Sequence, residues 1–384
     1  MWNKLARFNW LSFAAMLALM ACGVIAIWSA GNARPEPAFH GFWRSALGTS
    51  LAMLVAYFAL AFVDYRRWLP LAAPFAYAVA VAFLVAVLLL GSTIYGGRRW
   101  LWFFQPSEIS KLCVIAFVAM LYGDGARRSF GAFAAAVAIV SLPVALILLE
   151  PDLGTALTLV PAVVVMLVAG GVWRRGLAIA LAAGAIVAAA TLVAVHEAEK
   201  PGVTPERREA ILRRVPLRPH QVQRVKTFLF PGEDQMGSGY TLRQALIAIG
   251  SGGVTGKGLG KGETNHLKYL PPSVSMNDFI FCVWAEETGY VGSLLLLGLF
   301  GVVCVSGAWT AYVSADGRGR LLALGVSTLV FAHVYVNVAM TVGLVPITGL
   351  PLPFISSGRT FLVTVMAGLG LVQSVSIHRE EEDK

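Results

Sequence analysis

The stretch LPPSVSMNDFIFCVWAEETG, residues 270–289, places three carboxylates, Asp278, Glu286 and Glu287, where a polar segment turns into an apolar run. A carboxylate held at such a boundary can take a proton from a hydroxyl, hold a cation or orient a bound group. It can also start a helix: Ser275 and Asp278 have the S-x-x-[DE] spacing of a capping box, and from the residues alone capping has the better odds for Asp278. Glu286 and Glu287 lie two turns further on. Two adjacent carboxylates entering a membrane-bound helix cannot both face lipid, so at least one points into a protein interior or a wet cavity.

Three other stretches carry polar groups in patterned positions. In QPSEISK, residues 105–111, Pro106 marks a helix start, and Glu108 and Lys111, three apart, share one helix face. They can neutralise each other as a structural ion pair or line a polar cavity. In EPDLGT, residues 150–155, Asp152 reads as a helix cap with Thr155 three residues on. The segment SGGVTGKG resembles a phosphate loop and fails in detail, with Ser251 for the first glycine, Gly258 for the magnesium-binding hydroxyl and no preceding strand. Its glycines, with Lys257 and Lys261, still suit an anionic headgroup or a flexible loop. His333 and Asn337, four apart, could line a polar path and read first as a satisfied interhelical pair.

The elements that must position these groups are membrane helices. Of 384 residues, 57% are hydrophobic and 13% charged, against about a quarter charged in soluble domains. Apolar blocks of about 20 residues match a hydrocarbon layer of ~30 Å, and spanning segments must pair their backbone groups internally as helices. Ten blocks are expected, at roughly 9–30, 45–63, 70–91, 107–122, 129–149, 153–170, 176–195, 279–312, 320–344 and 356–376. The first, despite LMAC at 19–22, reads as a span and not a removable signal. Basic residues alternate along the short loops: Lys4, Arg7, Arg66, Arg67, Arg127, Arg128, Arg174, Arg175, Arg318, Arg320, Arg379 and Lys384 fall on one side. The expected architecture is therefore an all-α integral membrane protein, a single unit over 1–384, with both termini cytoplasmic and a large extracytoplasmic loop, 196–278, between helices 7 and 8. Within that loop Ile211, Leu212 and Val215 are spaced as in a short amphipathic surface helix.

The net charge of +9 is a loop-charge pattern of a membrane protein and does not indicate nucleic acid. Cys22, Cys113, Cys282 and Cys304 lie in or beside apolar runs with no paired spacing, which indicates neither a disulfide framework nor a metal site.

Taken together, the motifs resemble the bacterial SEDS family, for shape, elongation, division and sporulation. GGRRWLWFFQPSEISKL resembles xxRWxxxxxFQPSExxKL, EPDLGTAL resembles QPDLGTAL, LPPSVSMNDFIFCVWAEETGYVG resembles LPExHTDFIFAVxxEExGxxG, and GLVPITGLPLPFISSG resembles GLLPVTGxPLPFISYG. GSGYTLRQALIAIGSGGVTGKGLGKG, which contains Gln244, resembles the segment leading to the family's glycine-rich turn. Order and spacing hold over nearly the whole chain, and the elongation-type RodA branch is a better match than the division-type FtsW branch.

The resemblance implies a peptidoglycan glycosyltransferase of the bacterial cytoplasmic membrane that polymerises lipid II on its outer face and works with a class B penicillin-binding protein. Asp278 matches the family's essential aspartate. Glu108 and Lys111 match the QPSExxK pair, and Trp100 the tryptophan after the outer-loop arginine. The expected substrate-binding residues are Trp100, Arg98, Arg99, Glu108, Lys111, Lys257, Lys261 and Gln244. Other expected partners are membrane lipids. No organic cofactor and no nucleic acid is expected, and the cations that meet the phosphates are expected from Arg98, Arg99, Lys257, Lys261 or a divalent metal, magnesium or manganese, bridging them. Three departures stand out: Met276-Asn277 for His-Thr, Pro272 for the glutamate after LP, and Ser356-Ser357-Gly358-Arg359-Thr360-Phe361 for SYGGSS. For the reaction, Asp278 is the candidate general base, with metal holding and acceptor orientation as equal alternatives. A lipid II transporter and a non-catalytic scaffold are the rival classes.

Overall fold

The computed structural model describes residues 5–379 except 33, 35, 95–96, 103, 126–128, 151, 216, 235–236 and 273, with backbone alone at 93, 94, 97, 98 and 220. The chain runs through α1 (Trp10–Asn32), α2 (Phe42–Phe62), α3 (Tyr65–Leu90), the strands β1 (Ser92–Ile94) and β2 (Gly97–Trp100), then α4 (Pro106–Tyr122), α5 (Phe130–Leu149), α6 (Leu153–Ala169) and α7 (Arg174–Ala198). The segment that follows holds α8 (Pro205–Leu212), α9 (Pro219–Leu229), α10 (Ser238–Ser251) and α11 (Glu263–His266). A π-turn at Val274–Asp278 leads into α12 (Ile280–Tyr312), α13 (Gly317–Thr341) and α14 (Arg359–Ile377).

Among the described residues eight helices, α1, α2, α3, α5, α7, α12, α13 and α14, are long and apolar enough to cross a bilayer. α6 is apolar but has 17 residues, and α4, also of 17 residues, carries Glu108 and Lys111 on its buried side. The outward faces are apolar where lipid would meet them, as at Leu71, Phe75, Leu90, Ile179, Ile186 and Leu295. α13 and α14 are the most enclosed spans, and α7 buries the least of its surface. α13 packs on α4, α6, α12 and α14, so its polar positions face four neighbours at once.

Helix starts follow short polar side chains. Asp64, Ser129, Asp152, Thr204 and Asp316 accept backbone N–H bonds at the first turns of α3, α5, α6, α8 and α13. The stretch expected as a surface helix over Ile211, Leu212 and Val215 is helical only in part: α8 ends at Leu212, and Val215, beyond it, is buried. One amendment to the all-α expectation is the antiparallel ribbon β1–β2, which pairs Thr93 with Arg98 and Ile94 with Gly97 and ends on Arg99 and Trp100.

The glycine-rich segment has a structural task. The run 279–312, expected as one uninterrupted span, breaks at Gly289, which sits at φ 68° and ψ −163°, a region open essentially to glycine alone. The glycine-rich loop fills the break. Lys257 N and Gly258 N donate to Glu286 O and Glu287 O at 3.0 and 2.9 Å, and Tyr290 N and Val291 N donate to Gly253 O and Val254 O at 2.9 and 3.1 Å. A helix opened inside an apolar layer must have its freed backbone groups satisfied from elsewhere, and this loop does so. The approach leaves no room for side chains: a Cβ on Gly256 would lie 2.1 Å from Glu287 O, and one on Gly289 would lie 2.3 Å from Gly256 N.

Gly289→Ala is therefore expected to cost about 2 kcal/mol or more. Thermal unfolding in detergent should show a fall of several degrees, whereas Gly298→Ala, which meets nothing within 4 Å, should change little.

Candidate active site

Asp278 does not cap α12. The residue at the cap position is Phe279, which makes no side-chain cap bond, and the Ser275 hydroxyl accepts a hydrogen bond from Arg34 at 3.0 Å instead of closing a capping box. The π-turn leaves Asp278 on irregular backbone that side chains of two other segments hold in place. Asn337 on α13 donates its amide to the carbonyls of Asp278 and Leu350, at 2.8 and 2.7 Å. Ser356 donates to Asn277 O at 2.7 Å, Ser357 Oγ donates to Asn277 Oδ1 at 2.7 Å, and Ser357 N donates to Met276 O at 3.1 Å. Gly349, at φ 76°, passes so close that a Cβ on it would lie 3.2 Å from Asp278 Oδ2.

The half-buried Asp278 side chain opens into a cavity of ≈ 160 Å³. Its walls include Arg99 and Trp100 from β2, Gln105 and Glu108 at the head of α4, Asp152 and Thr155 at the head of α6, and Arg359, Thr360 and Phe361 at the head of α14. Arg224 on α9 reaches the same place and donates to Thr348 O at 2.8 Å. Burial pushes the Asp278 carboxyl up to about 6, against the opposing charges of Arg224 and Arg99. It thus changes protonation state close to neutral pH, as a general base for a hydroxyl requires.

Glu108 and Lys111 do both of the things left open above. They pair at 2.8 Å, and Glu108 also lines the cavity. Lys111 Nζ lies 2.8 Å from His333 Nε2, whose ring stacks on Phe361 at 4.3 Å between centroids. The two α13 residues read as one interhelical pair therefore have separate partners, His333 holding Lys111 and Asn337 holding the Asp278 backbone. Asp152 caps α6 through Thr155 N at 3.2 Å, accepts from Gln105 at 2.7 Å and Thr155 Oγ1 at 2.9 Å, and lies 3.9 Å from Arg99. The cap is also the anchor of a cavity cation.

Three expected site residues lie elsewhere. Lys257 is drawn to Glu286 at 2.9 Å and Glu263 at 3.4 Å, because the glycine loop brings its ammonium beside buried carboxylates. Lys261, exposed, and Gln244, half-buried on α10, are not among the residues that line the cavity. Both Glu286 and Glu287 turn inward: Glu286 accepts from the backbone N–H of Glu263 at 2.9 Å and of Thr264 at 3.3 Å, and Glu287 accepts from Ser29 at 2.6 Å. The Arg98 side chain lies outside the described residues.

Sequence reasoning missed Arg224 and the cavity role of Arg359. The one available signal for Arg224 is its place on α9 between the buried Gln221 and Val225, an unusual position for a cation in a basic loop. For a divalent ion the fit is limited. Among the described residues no three His, Cys, Asp or Glu side chains converge, and the Asp152 oxygens are already taken. In the cavity wall Glu108 is paired with Lys111, so Asp278 is the carboxylate that could help hold such an ion.

Residues 9–381 match the family described as Cell cycle protein, FtsW/RodA/SpoVE. The chain is 34% identical over 372 residues to the peptidoglycan glycosyltransferase MrdB of Escherichia coli (strain K12), covering 95% of this chain and 92% of that one. It is 29% identical over 386 residues to the probable peptidoglycan glycosyltransferase FtsW of Trichlorobacter lovleyi, covering 97% and 94%. Among solved structures, a chain of a peptidoglycan synthase complex superposes with a TM-score of 0.74 at 28% identity, over 98% of this chain and 99% of that one. The rod shape determining protein RodA of Thermus thermophilus gives 0.67 at 28% identity, over 98% of each.

Two predictions arise from this geometry. Glu150, fully buried at the end of α5, has neither carboxyl oxygen hydrogen-bonded among the described residues. Burial first, then the Asp152 charge, pushes it up to about 8, with Arg99 opposing. A carboxyl raised in the fold contributes stability below its ordinary range near 4.5, and that stability is lost as pH rises through about 8. Glu150→Gln, which restores the residue of QPDLGT, should match the parent in melting temperature near pH 5 and exceed it above pH 8. The Ser357–Asn277 contact joins two departures from the family pattern, so Ser357→Ala and Asn277→Ala should each lower kcat about three- to tenfold, the range of one hydrogen bond. The double variant should lose no more than either single one, and additive losses would show that the two do not act through each other.

Proposed function

We infer the mechanism of a chain that belongs to the cell cycle protein family of FtsW, RodA and SpoVE. It is a peptidoglycan glycosyltransferase, a multi-pass protein of the bacterial cytoplasmic membrane, and it acts in cell elongation. The substrate is lipid II, which the enzyme polymerises on the outer face of the membrane. The arrangement proposed is one unit over 1–384 with ten spans, α4 and α6 completing the eight long ones, both termini in the cytoplasm and 196–278 outside. That orientation puts Asp278, β2 and the heads of α4, α6 and α14 at the outer face together, as a lipid-linked saccharide requires. A class B penicillin-binding protein is the proposed partner, in keeping with the synthase complex to which the fold is similar, and membrane lipids surround the spans. Nothing in the reaction calls for an organic cofactor or nucleic acid.

Asp278 serves as general base. Its carboxylate takes the proton from an acceptor sugar hydroxyl as that oxygen attacks the anomeric carbon of the donor. The new C–O bond forms while the bond to pyrophosphate breaks, and the pyrophosphate leaves with the electron pair. One displacement inverts the anomeric centre, in the manner of an inverting glycosidase with a sugar hydroxyl in the place of water. Pyrophosphate is a good leaving group and needs charge neutralisation more than an acid. Trp100 and Arg99 flank the reacting sugars from β2, while Glu108 and Lys111, paired with each other, support the cavity from α4. A divalent cation carried in on the phosphates would supply further neutralisation.

The observation that carries this reading is the place of Asp278: a carboxyl freed from capping, pinned through its backbone by Asn337, and titrating near 6 in a cavity beside two arginines. The test supplies lipid II and a divalent metal to the purified protein, with its partner synthase, and compares Asp278→Asn at matched thermal stability. Glycan chains from the parent, and at least 100-fold fewer from the variant, are expected. Equal polymer from both would remove Asp278 from the chemistry, and none from either would favour a transporter.

A further inference from the structure

The reaction needs a cation where the pyrophosphate departs, on the far side of the anomeric carbon from the base. Arg99 lines the cavity wall with Asp278 and lies 3.9 Å from Asp152, and Arg224 meets Asp278 at Gly349 and donates to Thr348 O at 2.8 Å. The remaining cation of the cavity wall is Arg359.

Arg359 has a second exposure. A cavity of ≈ 90 Å³ between α1, α2 and the 354–362 segment adjoins the first and shares Gly358 and Arg359 with it. Ser45, Thr49, Ser50, Ser356 and Ser357 also line it, and Arg359 is its one charged wall residue among those described. Charge accounting across the two cavities leaves Arg359 apart from the rest. Glu108 is paired with Lys111, and Asp152 lies beside Arg99. Asp278 faces Arg224 and Arg99. Among the described residues no carboxylate lies within ion-pairing distance of Arg359, which donates to the Ser45 hydroxyl at 2.7 Å. Ser45 Oγ accepts that bond and keeps its own proton to donate. Phe42, Ile27 and Leu362 complete the wall with apolar surface, suited to the junction of a diphosphate and a hydrocarbon tail.

We propose that Arg359 and Ser45 form the subsite for the leaving pyrophosphate of the polyprenyl-linked donor, in the cavity that adjoins the one holding Asp278. This deepens the glycosyltransferase reading and rests on it. Arg359 stands where the resembled SYGGSS pattern has glycine, so the subsite is this chain's own addition. As the C–O bond breaks, negative charge grows on the departing diphosphate oxygen, and a guanidinium can meet two of its oxygens at once.

The test uses the full chain in phosphatidylcholine nanodiscs, with undecaprenyl pyrophosphate as probe and with lipid II polymerisation measured separately. Arg359→Gln should bind the probe about tenfold more weakly than the parent and lower kcat about 100-fold. Arg359→Lys should recover most of the binding, and Asp278→Asn should bind the probe as the parent does while making no polymer. Unchanged probe binding in Arg359→Gln would overturn the proposal, as would competition by phosphatidylglycerol at equal concentration, which would assign the subsite to ordinary lipid phosphate. Binding is read without turnover, so a parent that binds the probe through Arg359 yet makes no polymer would count against the reaction and not against the anion subsite.

Discussion

Irregular backbone inside an apolar layer must have every freed N–H and C=O satisfied by something other than water, and that requirement governs this structure. The chain leaves helical geometry at the π-turn before α12, at Gly289 within α12, and in the segment between α13 and α14. Each break is closed from a distant part of the sequence. Asn337 reaches from α13 to both Asp278 O and Leu350 O, the glycine-rich loop enters the gap at Gly289, and Ser356 and Ser357 bind the Met276-Asn277 backbone. Asp278 can stand on irregular backbone because these contacts fix it there.

The same logic orders the charges. Six carboxylates, Asp152, Asp278, Glu108, Glu150, Glu286 and Glu287, are buried or half-buried. Four of them are satisfied internally, by Arg99, Lys111, Lys257 and Ser29 among others. Asp278 differs: the Arg224 and Arg99 charges favour its carboxylate, and burial outweighs them. The result is a carboxyl poised near neutral pH beside cations, where Asp152, Glu108, Glu286 and Glu287 are held in structural pairs.

How much of this could be read from the amino acids depended on the range of the interactions. The apolar blocks, the Glu108–Lys111 pair at i and i+3, and the Asp152 cap are local and were legible from spacing. Asp278 was legible as a site only through the resemblance, because its S-x-x-D context favours a capping box that the π-turn does not form. Lys257 could not be assigned correctly, since the carboxylate that takes it, Glu286, is 29 residues away and meets it only when the glycine loop enters the broken helix. Arg224 was hidden among the basic residues of the loop for the same reason: Thr348, 124 positions distant, defines its place. The ribbon β1–β2 escaped because seven residues in two short strands carry no periodicity above the surrounding turn.

The most direct measurement of whether Asp278 is a base tuned by burial and two arginines is the pH dependence of kcat/KM for lipid II in the parent and in Arg224→Gln. The parent should show an acid limb with an apparent pKa near 6. Removing the Arg224 charge, which favours the carboxylate, should move that limb to higher pH while activity on the alkaline side persists. An acid limb that stays in place in Arg224→Gln, or a profile flat from pH 5 to 8, would contradict the assignment of Asp278 as the base.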